Sequence, residues 1–213
     1  LIMHDGHRTM NTDNDCTATL LSDADVIAAM REIPGYLDIS PADFREVFQV
    51  AYVHALKRVR DSIRAADIMT RPAHCVGSDL DLIQAATLLA ERGFSGAPVT
   101  DAAGRVVGVV SEKDFLAGMG VDRPIGFMDI IAHCLNHRGC MAVSLRNRKV
   151  SDIMTAPPLT AGVEATLGEI SALFVDRHIN RLPIVDAEGR PLGIVTRTNL
   201  VQSYCFTGQG VQS

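Results

Sequence analysis

The chain has 213 residues, of which 47% are apolar and 21% are charged, and its formal net charge is −5 at pH 7. This length can bury a sizeable core without disulfide or metal staples, and the composition is too apolar for a disordered chain. With 25 acidic residues against 20 basic ones, the surface offers no general attraction for nucleic acid, and no apolar run approaches the roughly 18 residues that would cross a bilayer.

The first part of the chain is predicted to be helical after a disordered start. Residues 1–20 show no hydrophobic periodicity, and we expect them to be disordered. Residues 21–64 form a helical N-terminal segment with two helical patterns, at 22–33 and 41–62. Serine and acidic residues at the start of both patterns are strong helix N-terminal signals, because their side chains accept hydrogen bonds from the free N–H groups of the first turn. These signals are Ser22-Asp23-Ala24-Asp25 and Ser40-Pro41-Ala42-Asp43.

An internal duplication organises the rest of the chain. Asp67-Ile68-Met69-Thr70 recurs as Asp152-Ile153-Met154-Thr155, 85 residues later, and the match continues without a gap for roughly fifty residues. A match of this density is not expected by chance, so we infer two copies of one structural unit. Further matched pairs are Pro72 and Pro157, Gly77 and Gly162, Leu82 and Leu167, Pro98 and Pro183, Asp101 and Asp186, and Gly108 and Gly193.

Each copy is predicted to form a strand, a helix, a β-hairpin and a second helix. In the first copy, apolar residues at helical spacing indicate a helix over 79–93, which Ser78 or Asp79 would cap and Gly93 would end. An Asp- and Gly-containing turn separates two β-rich runs, which is typical of a hairpin. Such a unit is α/β (α+β), and two copies packed sheet to sheet would cover the apolar sheet face that one copy leaves open. In the first copy the two hairpin runs are 97–99 and 106–110. In the second copy the helix is predicted over 164–179, and the hairpin runs are 182–185 and 192–195.

The linker between the copies, residues 119–149, is predicted to contain a helix, because residues 125–137 are apolar at helical spacing. Cys134, His137 and Cys140 could share one face of that helix, and zinc binds such ligands. Their spacing matches no standard zinc finger or ribbon, so we favour a structural role and predict no metal site. The chain has five cysteines, an odd and scattered set that favours a reducing compartment, and we expect a cytoplasmic location.

The two copies resemble tandem CBS domains, a pair known as a Bateman module. The resemblance rests on the Asp-Ile-Met-Thr opening, the Pro-Val/Ile-X-Asp stretch and the Gly-Val/Ile-Val-Ser/Thr-X-X-Asp/Asn closing. It assigns one repeat to residues 65–118 and the other to 150–206, followed by a tail at 207–213. It also implies that the pair is not an enzyme but binds AMP, ADP, ATP or S-adenosylmethionine between its repeats and passes this occupancy to an attached domain.

A second resemblance concerns the segment before the repeats. The stretch Asp38-Ile39-Ser40-Pro41-Ala42-Asp43-Phe44 and the long linker are similar to the cytoplasmic region of HPP-family membrane proteins. The chain opens with Leu1 rather than methionine, so we expect it to be part of a longer protein. The resemblance implies a transmembrane domain upstream, with this chain on the cytoplasmic face of the membrane.

The end of each hairpin carries a candidate anion site. Ser111 and Thr196 each begin a helix, where unpaired N–H groups and the helix dipole favour a phosphate. Asp114, one turn later, can accept hydrogen bonds from ribose hydroxyls. The structural alternative is that Ser111 caps the helix and Asp114 improves its dipole.

The resemblance implies that each cleft is shared between the repeats. The first nucleotide-binding cleft would sandwich adenine between Leu159 and Ile179. Arg181 would bind phosphate, because a guanidinium matches phosphate oxygens, although it could also be a solvated charge at a strand end. The predicted nucleotide-binding residues are Ser111, Asp114, Leu159, Thr160, Ile179, Asn180 and Arg181.

The second cleft is predicted to be the weaker one. Asn199 replaces the ribose-binding acid and lacks its charge, and Gly96 stands where the second copy has Arg181. We therefore expect this cleft to be empty or to take an uncharged nucleoside, unless Arg71 or Arg197 supplies a phosphate ligand. Its predicted residues are His74, Cys75, Phe94, Ser95, Thr196 and Asn199, with Cys75 in the place of Thr160.

These observations favour a regulatory module that binds an adenine nucleotide, requires no cofactor and controls an attached or partner domain. The alternative is a structural or dimerisation module with vestigial clefts. An enzyme is poorly supported, since the sequence shows no Ser/His/Asp arrangement, no Gly-rich phosphate loop and no paired carboxylates. We also expect a homodimer, because the helices at 41–62, 79–93 and 164–179 carry more apolar residues than one core needs.

Overall fold

The computed structural model describes residues 22–35, 38–119, 128, 132 and 141–208. The predicted disorder of residues 1–20 and the Cys/His stretch at 133–140 lie outside these residues, as does nearly all of the predicted helix at 125–137. In the described part, no three or more His, Cys, Asp or Glu residues come together as a metal site. Contacts divide the chain into two compact units, residues 1–59 and 60–213.

The first unit contains helix α1 (Asp23–Glu32) and most of helix α2 (Pro41–Ser62), which confirms the two predicted helices. Ser22 caps α1, because its hydroxyl accepts from the N–H of Asp25 at 3.2 Å and its own N–H donates to the Asp25 carboxylate at 2.9 Å. The hydrogen bonds from Ser22 hold the pKa of Asp25 below its ordinary value. Val26 is the buried residue of α1, and α2 has none. Across the described ranges, every helix is either too short or too polar to cross a membrane.

The second unit holds the two repeats, each with an opening helical turn, a short extended segment, a helix, a hairpin and a closing helix. In the second repeat the extended segment is reduced to a parallel bridge between Ala161 and Ile184. The first repeat comprises α3 (Ala65–Ile68), β1 (Val76–Gly77), α4 (Leu82–Glu91), β2 (Gly96–Thr100), β3 (Val106–Ser111) and α5 (Glu112–Gly118). After a 3₁₀ turn at Met141–Leu145, the second comprises a 3₁₀ turn at Val150–Asp152, α6 (Leu167–Asp176), β4 (Arg181–Val185), β5 (Pro191–Thr196) and α7 (Arg197–Gly208).

Helix α4 begins three residues later than the sequence predicts, at Leu82. Neither Ser78 nor Asp79 caps it, so that prediction is wrong. The N–H of Ser78 instead donates to the carbonyl oxygen of Thr100 at 2.9 Å, which extends the pairing of β1 with β2 beyond the two strand residues. Gly93, with a φ of 66°, follows the end of the helix as predicted.

The two hairpins have the same register. Strands β2 and β3 pair antiparallel with Gly96 opposite Ser111, and β4 and β5 pair with Arg181 opposite Thr196. The first turn is built on Asp101, whose Oδ1 accepts two backbone N–H groups at 2.9 Å. In both repeats, the first residue of the first hairpin strand therefore lies opposite the residue at which the closing helix starts.

The opening segment of the first repeat packs into the core of the second. Ala65 and Met69 are buried against Leu167, Ile170 and Phe174. All five side chains are apolar, so their burial together is a main source of stability for the second repeat. This core therefore contains residues from both copies of the duplicated sequence.

The exchange is reciprocal. Val150, with Ile153 and Met154 beside it, completes the first repeat's core around Leu82 and Val110. The copy seen in the sequence is consequently not the packing unit, because its opening residues belong to the core of the other copy. Backbone bridges join the exchanged segments in four places: Arg64 with Thr166, Thr70 with Ile194, Asp81 with Lys149, and Val109 with Thr155.

Two matched glycines allow the opening segments to approach the hairpins. A Cβ on Gly108 would lie 2.6 Å from Sδ of Met154. A Cβ on Gly193 would overlap Sδ of Met69 and lie 3.0 Å from the carbonyl oxygen of Thr70. Only a residue without a side chain fits at these two contacts.

We expect Gly193→Ala to lower the free energy of unfolding by about 1–3 kcal/mol, because the added methyl group would push Met69 out of a closely packed core. Gly162→Ala is the matched control, since a Cβ there would meet no atom within 4 Å, and its effect should stay within about 0.5 kcal/mol. Urea unfolding followed by circular dichroism measures both values. Equal effects of the two substitutions would contradict the close approach.

Candidate functional site

The start of helix α5 holds a carboxylate between the two repeats. Asp114 Oδ2 accepts hydrogen bonds from the backbone N–H and the hydroxyl of Ser111, at 2.7 and 2.6 Å. Its Oδ1 accepts from the hydroxyl of Thr155, in the opening segment of the second repeat, at 2.9 Å. Ser111 and Asp114 thus make the capping contacts of the structural alternative, and the carboxylate is in addition bound across the repeats.

The second repeat has the same arrangement without the charge. Asn199 Oδ1 accepts from the N–H and the hydroxyl of Thr196, at 2.8 and 2.7 Å. Its Nδ2 donates to the hydroxyl oxygen of Thr70 at 3.3 Å. Because an amide oxygen accepts the same two hydrogen bonds from Thr196, the cap itself does not require the negative charge of Asp114.

A cleft of about 350 Å³ opens beside Asp114. Leu159 and Ile179 supply apolar wall, and Arg181 supplies a cation. Thr160 is exposed and does not line the cleft, whereas the preceding residues 157–159 do. The predicted residues on this wall are Ser111, Asp114, Leu159, Ile179, Asn180 and Arg181.

A second cleft of about 430 Å³ lies beside Thr196. His74 and Phe94 form a ring pair on its wall, with centroids 5.2 Å apart. Cys75 and Asn199 were also predicted for this cleft, but their side chains do not line it. The predicted residues on this wall are His74, Phe94, Ser95 and Thr196.

Arg181 lines both clefts, so the prediction that the second cleft lacks this cation is wrong. Its guanidinium contacts the hydroxyl of Ser95 on the second-cleft side. Partial burial lowers the pKa of Arg181 from its ordinary value, while the negative charges of Glu112 and Asp114 raise it. An arginine nevertheless remains charged in proteins, and this one is therefore a permanent cation between the clefts.

Further basic residues complete the walls; the sequence named Arg197 as a candidate phosphate ligand of the second cleft but missed Lys113 and Arg177. Lys113 lines both clefts, Arg177 lines the first and Arg197 lines the second. Lys113 and Arg197 lie inside the Ser/Thr-X-X-Asp/Asn stretches, so those stretches carried the signal for them. Arg71, the other candidate cation for the second cleft, instead donates to the carbonyl oxygen of Ala66 at 3.1 Å.

Comparison with known proteins places both repeats in one family. The sequence profile of the CBS domain matches residues 65–120 and 150–204, about half of the chain. The chain is 32% identical over 149 residues to the uncharacterized protein MJ1426 of Methanocaldococcus jannaschii, which covers 64% of this chain and 88% of that protein. It is 32% identical over 146 residues to the chloroplastic CBS domain-containing protein CBSX2 of Arabidopsis thaliana, which covers 64% of this chain and 61% of that protein.

Solved structures of the same family have the same fold. A crystal structure of CBSX2 in complex with AMP aligns with a TM-score of 0.54 at 28% identity, covering 70% of this chain and 100% of that chain. The CBS domain of a CBS domain-containing membrane protein from Sphaerobacter thermophilus aligns with a TM-score of 0.57 at 30% identity, covering 73% of this chain and 96% of that chain. The two repeats therefore form a CBS pair.

We expect Cys75 to react slowly with iodoacetamide near neutral pH, because burial raises the pKa of its thiol and lowers the thiolate fraction. Mass spectrometry of tryptic peptides follows this cysteine separately from the other four. Alkylation should be several-fold faster in the urea-unfolded chain, and the difference should narrow as the pH rises towards the folded-state pKa. Equal rates in the two states at neutral pH would contradict the burial.

Proposed function

The chain belongs to the CBS-domain family, and we propose that it is a regulatory module whose first cleft binds an adenosine-containing nucleotide. The observation that carries this proposal is that Asp114, Arg181 and apolar side chains line one cleft. A nucleotide needs these surroundings, since ribose hydroxyls donate to a carboxylate, phosphate oxygens accept from a guanidinium and adenine packs on apolar carbon. The structure of the related CBSX2 with AMP supports the same class of ligand.

In this proposal each residue has a chemical role. Asp114, already oriented by hydrogen bonds from both repeats, accepts from the ribose hydroxyls. Leu159 and Ile179 contact adenine, and Arg181 binds phosphate as a two-pronged donor. The hydroxyl of Ser111 can rotate towards a phosphate oxygen once ribose takes its place at Asp114. AMP, ADP, ATP and S-adenosylmethionine all present the adenosine group that this set would recognise.

The second cleft is, in this proposal, the weaker one. Asn199 carries no charge and does not line the cleft, so the position that matches Asp114 offers ribose no carboxylate there. The ring pair of His74 and Phe94 offers a surface on which a base can stack. An uncharged nucleoside suits these walls best.

We further propose that the module acts by binding, with no catalytic step, and controls an attached or partner domain. Occupancy of the first cleft can be passed on because Asp114 is hydrogen-bonded to Thr155 of the other repeat. A membrane domain upstream, of the HPP type, is our candidate for the controlled partner, supported by the similarity to the CBS domain of a membrane protein. The repeats, proposed at 65–118 and 150–206, would then lie on the cytoplasmic side.

A homodimer is the assembly that the exposed helix faces support. Ile83 on α4 and Val175 on α6 are 61% and 69% exposed. Each borders an apolar groove, near Phe115 of α5 in the first repeat and near Leu200 of α7 in the second. Exposed apolar grooves of this kind favour association with another protein surface, and two equivalent ones suit a second copy of this chain.

We expect Asp114→Asn to weaken AMP binding by about tenfold or more, because the amide loses the charge-assisted hydrogen bonds to ribose. The cap should survive, since Asn199 makes the same contacts in the second repeat. Calorimetric titration measures the affinity, and urea unfolding measures the stability. Asn199→Ala, at the matched position, should change the affinity little.

Other results would redirect the proposal. Loss of AMP binding in Asn199→Ala with full binding in Asp114→Asn would make the second cleft the nucleotide site. No binding of AMP, ADP, ATP or S-adenosylmethionine would favour a structural module with vestigial clefts. A thermal-shift series identifies the ligand, because a ligand at about 100 times its Kd adds about 2.7 kcal/mol of stability.

Light scattering at micromolar concentration should give twice the mass of one chain. Combining Ile83→Glu with Val175→Glu should yield a monomer, because burying an unpaired charge in an apolar contact is unfavourable. Val47→Glu on α2 is the matched control, since that side chain is also 61% exposed, and it should leave the dimer intact. A monodisperse monomer of the unmodified chain would contradict the proposed dimer, and a monomer in Val47→Glu would move the interface to α2.

A further inference from the structure

The wall between the two clefts contains a single arginine that both clefts can use. The guanidinium of Arg181 contacts Ser95 on the second-cleft side and is close enough to Glu112 and Asp114 to be influenced by their charges. Arg181 is therefore positioned between the clefts rather than committed to one of them. The residues that line both clefts are Ser111, Lys113, Asn180 and Arg181.

The duplication does not supply a second arginine, because Gly96 occupies the matching position in the first repeat. A Cβ on Gly96 would overlap the carbonyl oxygen of Val110 and lie 3.0 Å from Cζ of Arg181. The absent side chain leaves the space that the guanidinium fills. The glycine at position 96 thus leaves the pair of repeats with one arginine at this position, Arg181, and leaves room for its guanidinium between the two clefts.

The remaining charges on each wall nearly cancel. Arg177 and Asp114 line only the first cleft, and Arg197 and Glu112 line only the second. Each cleft therefore has one cationic and one anionic side chain that it does not share. The surplus positive charge available to a phosphate comes from the two cations that the clefts share.

One phosphate group is enough to use that surplus. A phosphate monoester carries a charge of about −1.5 to −2 at pH 7, which matches the combined charge of Lys113 and Arg181. A second phosphate across the same wall would meet no uncompensated cation. It would also be repelled by the first, and this repulsion is stronger in a partly dehydrated cleft than in water.

Resting on the proposed function, we propose that the two clefts compete for Arg181, so that a chain binds one phosphorylated nucleotide tightly and a second only weakly. A nucleoside without phosphate does not enter this competition, because it needs no guanidinium. The cleft with His74 and Phe94 can therefore hold adenosine while the first cleft holds AMP. The occupied state then depends on the ratio of phosphorylated to unphosphorylated ligand.

Calorimetric titration of the full chain with AMP and adenosine tests the competition. We expect one tight AMP site per chain and a second site weaker by about tenfold or more, a common size for coupling between sites. Adenosine added to the AMP-saturated chain should still bind at one site per chain. It should not release the tightly bound AMP.

Substitutions separate the shared arginine from the others. Arg181→Gln should weaken the tight AMP site by about tenfold and make the two clefts independent, so that AMP in one no longer weakens AMP in the other. Retained adenosine binding shows that the clefts are folded. Arg177→Gln should weaken AMP in the first cleft but still allow only one tight AMP per chain. Arg190→Gln removes the same charge from the turn between β4 and β5, away from both walls, and should change neither affinity.

Three outcomes would overturn the inference. Two equal and independent AMP sites in the unmodified chain would exclude competition and leave the proposed function intact. If AMP in one cleft still weakened AMP in the other in Arg181→Gln, this antagonism would have to come from groups other than Arg181, again without affecting the proposed function. No binding of AMP or adenosine to the unmodified chain would overturn the proposed function together with this inference.

Discussion

The reciprocal exchange of opening segments between the repeats is the constraint on which the rest of the structure depends. A single repeat of about fifty residues is near the lower limit for an independent core, and here neither core is complete without the other repeat. The exchange is also held by the backbone, because Leu167 donates to Ile63 at 2.8 Å and Leu82 donates to Arg148 at 3.0 Å. The two repeats therefore complete each other's cores, which gives a physical reason for a tandem duplication.

The clefts are a direct result of this exchange. Immediately after Met154 enters the first repeat's core, the chain presents the Thr155 hydroxyl to Asp114 and then continues as cleft wall through residues 157–159. After Met69, the hydroxyl oxygen of Thr70 lies at the matching place and accepts a hydrogen bond from Nδ2 of Asn199. Any ligand held at either place contacts both repeats, so its binding free energy also stabilises their association.

The two halves share a backbone but differ in chemistry. The hairpins have equivalent registers, and the helix starts carry equivalent capping contacts. The negative charge of Asp114 has no counterpart at Asn199, and the guanidinium of Arg181 has none at Gly96. Duplication alone would produce two like clefts, whereas these two differences give them unlike charges and place one arginine between them.

Sequence reasoning was most successful where signals are local. The cap at Ser22 and the turn at Asp101 depend on hydrogen bonds between residues at most four positions apart, and such bonds are readable from sequence. Ser111 and Arg181 line the first cleft for a related reason, since they lie at the ends of strands β3 and β4. Thr160 and Cys75 were misplaced because successive residues of an extended segment point to opposite sides.

The sequence by itself determined that the chain carries two copies of a CBS-like unit, the order of their helices and hairpins to within about three residues at each end, and which residues start the closing helices. Only the tertiary structure decided that the copies exchange their opening segments, because the contact of Met69 with Gly193 joins residues far apart in the chain. It also decided the position of Arg181. A long side chain extends into whatever space its neighbours leave, and the space left at Gly96 exists only once the two hairpins lie side by side.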